Sequence, residues 1–134
     1  MITFERLPMT DSTRFPIKFD AGYALLSSTL LIPPSDSYIE ITAGRVAVRM
    51  SWAFRAKFDV SNVTGASPLG RRIRLTRGVH GLGGRWLVNG SGDGILVVDL
   101  EPKQRGYVMG VPVSLRQLQV SVDDPRTVAA ALGA

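Results

Sequence analysis

The sequence predicts a mostly β fold: a small bent-sheet barrel or orthogonal sandwich of about seven to eight strands, closed by a short C-terminal helix. Three observations carry this expectation. The first is a period of two that begins at Tyr38, with Ile39 and Ile41 on one face and Glu40 and Thr42 on the other. After the two-residue turn Ala43-Gly44 it resumes, Val46, Val48 and Met50 opposing Arg45 and Arg49. The second is length. The same parity runs on through Trp52, Phe54, Ala56, Phe58 and Val60, against Arg55, Lys57 and Asp59. Residues 45–60 as one straight strand measure roughly 53 Å, whereas a domain of this size is roughly 36 Å across. The chain must bend or reverse, and Ser51 is the expected place. The third is the ending, where Asp123-Asp124-Pro125 supplies an N-cap and a proline at the first helical position. Val128, Ala131 and Leu132 then form one apolar helical face.

The remaining elements follow in order. Residues 1–14 lack periodicity and read as a loose arm. Phe15, Ile17 and Phe19 alternate with Pro16, Lys18 and Asp20 as a short strand, and Pro16 favours a sheet edge. Asp20 caps a short N-terminal helix with Tyr23, Leu26 and Leu30 on one face, stopped by Pro33-Pro34. Ile73 and Leu75 alternate with Arg72 and Arg74 as a further strand. Trp86-Leu87-Val88 leads into a glycine-rich connection of the hairpin kind over residues 89–94. Residues 95–100, apolar except for Asp99, form a further strand. Val111, Val113 and Leu115 hold odd parity and Leu118, Val120 and Val122 even parity, so a bulge or turn is expected near Arg116-Gln117. The 134 residues form one domain, with the barrel and terminal helix spanning residues 38–132.

Composition excludes several chemistries. There is no cysteine, hence no disulfide framework, thiolate zinc site or cysteine nucleophile. No leader pattern follows Met1, and the most apolar stretch, residues 23–32, is too short to cross a bilayer, so a soluble cytoplasmic protein without a transmembrane segment is expected. The net charge of +5 is uneven: residues 45–85 hold nine basic side chains and one acid, the rest seven basic and ten acidic. Such asymmetry marks either a solvated face or an anion-facing surface. On the second reading the candidate anion-binding residues are Arg71, Arg72, Arg74, Arg77 and Arg85.

No catalytic set is visible. His80, the only histidine, sits in the glycine loop Gly78-Val79-His80-Gly81-Leu82-Gly83-Gly84 without carboxylate neighbours in sequence, which makes it a weak ligand-site candidate. Those glycines match neither the dinucleotide fingerprint nor the phosphate loop. Asp93 is the sole acid of residues 89–94, too few for a calcium loop. Trp52, Phe54 and Phe58 share the parity of Val46 and Val48 and are assigned to the core. No metal or other cofactor is expected, and the chain is read as no enzyme.

The ending Gln119-Val120-Ser121-Val122-Asp123-Asp124-Pro125, followed by Val128-Ala129-Ala130-Ala131-Leu132, resembles the last strand and capping helix of bacterial pleckstrin-homology-like domain proteins. Residues 45–58 and 78–92 are similar to them as well, whereas residues 1–37 do not match. The resemblance implies a barrel with a terminal helix and a binding role, but fold alone names no ligand. The phosphoinositide site of lipid-binding members does not carry over, because the first hairpin turn is Ala43-Gly44 with Arg45 alone at its edge. The expected function is a non-catalytic binding or scaffold domain acting through protein contacts, including self-association as a homo-oligomer. One alternative is a small-ligand carrier or enzyme using a barrel mouth near His80. Another is weak, non-specific binding of anionic membrane or nucleic acid through residues 45–85.

Overall fold

The computed structural model describes residues 12–73 and 77–133. In chain order these form β1 (Ser12–Pro16), α1 (Ala21–Thr29), β2 (Ser37–Thr42), β3 (Arg45–Met50), β4 (Phe54–Asp59), β5 (Val63–Pro68), β6 (Gly78–Leu82), β7 (Arg85–Asn89), β8 (Ile95–Val108), β9 (Val111–Ser121) and α2 (Pro125–Ala131). All nine strands join one mixed sheet in the order β1-β2-β3-β4-β8-β9-β7-β6, with β5 also paired to β8. The ladder order is open. Beyond it, isolated bridges link Ile17 to Val122 and Phe19 to Gly90.

The reversal at Ser51 is present: β3 and β4 pair antiparallel up to Met50 and Phe54, and Ser51 takes a positive φ of 45° in the turn between them. The parity change in β9 is also a bulge. Its register slips between Leu115 and Gln117, and the amides of Arg116 and Gln117 both donate to the Gly84 carbonyl at 2.7 and 3.1 Å. The C-terminal cap forms as well, Asp124 accepting from the Thr127 hydroxyl at 2.7 Å and Val128 being buried beneath it. α2 packs on β5 and β8. The core is built from the inward positions of the paired strands, with Ile39, Val46, Val48, Met50, Phe54 and Leu96 among its closed side chains.

Several expectations are corrected. Residues 12–14 belong to β1 rather than to an arm, because their backbone pairs with β2; residues 1–11 lie outside the described residues. α1 exists, but Leu26 and Leu30 face outward and Ser27 is buried. Asp20 stands at the N-cap without a side-chain capping bond, since its carboxylate is taken by Arg77 and Ser91. Ile73 lies in a loop, not a strand, its amide donating to Gly92; Arg74 and Leu75 lie outside the described residues. His80 is on strand β6, because Gly83-Gly84 alone makes the turn and the preceding residues pair with β7. Residues 89–94 are no hairpin: β7 pairs parallel with β9, so the connection to β8 passes the end of β9.

Strand β8 runs well past the apolar stretch that signals it. Its residues 96–100 pair with β5 and residues 106–108 with β4, on the edge opposite β9. On the β9 side, residues 100–103 oppose only Arg116 of the bulge. Pro102 therefore falls where a ladder amide is not needed.

Candidate functional site

Alternation fixes what lies on the outer face of β2, β3, β4 and β8. With Ile39, Val48, Met50, Phe54 and Ala56 turned inward, Tyr38, Arg49, Arg55 and Tyr107 are turned out. The register aligns these four in one row across four strands, Tyr38 opposite Arg49, Arg49 opposite Arg55, and Arg55 opposite Tyr107. The next row holds Glu40, Ala47 and Lys57, and Arg105 lines the same surface. Ala47 is the small residue of this row, and over it the sheet face becomes a groove of about 570 Å³.

The groove is basic. Glu40 is engaged by Arg14 through two contacts of 2.9 and 3.2 Å, and Asp36 at the rim pairs with Arg49 at 3.2 Å. Arg55, Lys57 and Arg105 form no ion pair among the described residues. Both tyrosines serve as platforms for guanidinium groups: Arg14 lies 3.9 Å from the Tyr38 ring centre, and Arg55 lies 5.1 Å from that of Tyr107. The arrangement offers fixed, forked donors to a carboxylate or phosphate.

The strands beneath the groove lead into turns that form an apolar tip. Leu30, Leu31, Trp52, Met109 and Val111 are large apolar side chains that are 51–74% exposed. Hydrogen bonds hold the turns that carry them together, Trp52 Nε1 donating to the Leu30 carbonyl at 3.3 Å and the Met109 amide to the Ala53 carbonyl at 2.9 Å. Leu31 and Met109 adopt positive φ angles of 61° and 49°, which side chains other than glycine seldom take. Trp52 is thus not core, as its parity suggests, because the turn at residues 51–53 breaks the alternation before β4 begins. Met50 and Phe54 form the last pair before that turn, so Arg49 and Arg55 stand one residue from the tip.

The arginines singled out from the sequence are not brought together. Arg71 is exposed in a loop, and Arg72 pairs with Asp93 at 3.1 Å. Arg77 is tied to Asp20 at 2.9 Å and donates to the Ile73 carbonyl at 3.1 Å, with only 15% of its side chain exposed. Arg85 begins β7 beside Arg116 and Lys103 but also beside Asp99 and Glu101. Arg74 lies outside the described residues. Arg77, Asp20 and Ser91 instead form a structural network, the Ser91 hydroxyl donating to Asp20 at 2.8 Å. Burial pushes the Asp20 carboxyl upward, but hydrogen bonds from Ser91 and Arg77 and the charges of Arg77 and Arg72 outweigh it and hold the pKa below its ordinary value.

His80 is exposed on β6, its Nε2 hydrogen-bonded to the Arg77 carbonyl. Among the described residues no group of three His, Asp or Glu side chains is placed to hold a metal, and no helix is long and apolar enough to cross a membrane. Sequence reasoning counted Arg49, Arg55 and Lys57 in the basic segment without selecting them, and missed Tyr38, Arg105 and Tyr107. The available signal was parity: the basic residues opposite Val48, Phe54 and Ala56 must share one face. Comparison with protein-family models, curated proteins and solved structures returns no match.

Proposed function

We propose that the protein is a non-catalytic binding domain that acts through protein contacts, and that the basic groove is the surface receiving its partner's anionic groups. The observation that carries this reading is Arg49 set directly opposite Arg55 in a row that also adjoins Lys57 and Arg105. Like charges directly opposite on a sheet are destabilising. A bound anion converts that repulsion into shared recognition, since each guanidinium presents a fork of donors. The pleckstrin-homology-like barrel remains part of the proposal. It is supported by the terminal helix and by the bridges Ile17–Val122 and Phe19–Gly90, which tie the chain just after edge strand β1 to the ends of β9 and β7.

The test is fluorescence anisotropy of a labelled oligoglutamate at low and raised salt. Binding should fade with salt and weaken at least about tenfold in Arg49→Glu/Arg55→Glu, the cost of losing two charge-assisted contacts. Affinity untouched by the charge reversal would remove the groove from consideration.

A further inference from the structure

We infer that the groove and the tip form one recognition surface whose ligand is a protein segment carrying acidic residues next to large apolar ones. This rests on the groove reading above and adds the identity of the ligand. Two surfaces of opposite chemistry follow one another along β3, β4 and β8 here. Arg49 and Arg55 stand one residue from the turn that carries Trp52, and Tyr107 stands two residues from Met109. A ligand neutralising the arginines therefore has Trp52 and Met109 within reach of its next residues. The tip offers side chains that water gains by losing, and the groove offers Arg55, Lys57 and Arg105, which form no ion pair among the described residues.

Other anionic ligands fit less of this geometry. Single-stranded nucleic acid binds sheet faces by stacking bases on open aromatic rings. Here a guanidinium already lies 3.9 Å from the centre of Tyr38, and another 5.1 Å from that of Tyr107. A bilayer presents a broad surface that reaches the tip, but Lys57 and Arg105 lie a further row along the strands, inside a concave face. An extended chain follows that concavity. Two rows are separated by two residues, or roughly 7 Å along a strand, so a few ligand residues span from the apolar tip to Lys57. An acidic segment satisfies the guanidinium forks, and one or two large apolar residues beside it cover Trp52 and Met109.

The experiment compares a labelled oligoglutamate with the same peptide extended by Leu-Phe at either end, alongside an oligonucleotide of equal charge and phosphatidylglycerol-containing vesicles. At least one extended peptide should bind about tenfold tighter than oligoglutamate, as expected for burying one large apolar side chain. In Trp52→Ser/Met109→Ser that gain should vanish while oligoglutamate affinity stays as in the wild type, which also shows that the variant is folded. The inference is overturned if neither extension tightens binding, if the double variant keeps the gain, or if the oligonucleotide or the vesicles bind more tightly than the extended peptides. In those cases binding of oligoglutamate leaves the groove reading standing. Failure of every anion to bind overturns both.

Discussion

Arg49 of β3 and Arg55 of β4 are direct cross-strand neighbours, each with a tyrosine on its other side. Asp36 screens Arg49 in part, so the repulsion left between the pair in the free protein is at most about 1 kcal/mol. A double-mutant cycle reads this directly. Each single alanine substitution relieves the repulsion, but the double variant relieves it only once. Urea unfolding should therefore find the Arg49→Ala/Arg55→Ala variant less stable than the summed single effects by that amount. Saturating oligoglutamate should reverse the sign, because the two arginines then hold one ligand. A coupling of zero in both conditions would mean that solvent screens the pair completely.

The tie between Asp20 and Arg77 makes a pH prediction. Its folded pKa lies below that of the unfolded chain, about 3.9. Asp20 therefore contributes stability that is complete above the unfolded value and is lost as pH falls through the folded one. Asp124, held low by hydrogen bonds from Thr127, acts with the same sign at the start of α2. In Asp20→Asn, stability at neutral pH should drop and its dependence on acid should flatten. Urea midpoints across roughly pH 3–6 check this. A variant with the wild-type acid slope would mean that Asp20 titrates alike in both states.

Trp52 and Phe54 share strand parity in the sequence but not fate. Phe54 is fully closed, and Trp52 is half exposed, held by one hydrogen bond to Leu30. Phe54→Ala should cost about 3–5 kcal/mol through lost burial and a cavity. Trp52→Ala should cost clearly less, because half of its ring is already in water and its hydrogen bond is worth about 1 kcal/mol. Equilibrium unfolding of the two variants decides it, and equal losses would return Trp52 to the core.

That contrast shows what the sequence makes legible. Parity identifies the inner face of β2, β3 and β4, the reversal at Ser51, and the bulge at Arg116, because each depends on residues adjacent in the chain. It fails where pairing partners are distant. The polar second half of β8 is a strand because β4 and β9 flank it, and Glu101-Pro102-Lys103 conceals that. His80 looks like a loop residue because its glycines are read without β7 beside them. The groove was hidden for the same reason. Arg105 and Tyr107 reach Arg55 only through the β4–β8 ladder, whereas Arg72 and Arg77, from the more conspicuous basic run, are tied to the fold by Asp93 and Asp20.

Gly94 and Gly44 provide the last test, of how the chain passes from β7 to β8. Both have positive φ, 67° and 80°, so alanine at either position incurs a left-handed backbone penalty of roughly 1–2 kcal/mol. Around Gly44, in the β2–β3 turn, there is open space, and Gly44→Ala should lose only that penalty. At Gly94 a Cβ would overlap the Val122 carbonyl oxygen, and the Gly94 carbonyl accepts from the Val122 amide at 2.9 Å. The connection is pressed against the end of β9, with backbone rather than a movable side chain in the way. Gly94→Ala should therefore be clearly less stable than Gly44→Ala, and its oligoglutamate binding should fall only with the folded fraction, because the groove lies on β2, β3, β4 and β8. Unfolding and binding measured on the same samples separate the two effects. Equal stability of the two variants would show that the connection can lift away from β9, and the close passage would then not be what fixes the parallel pairing of β7.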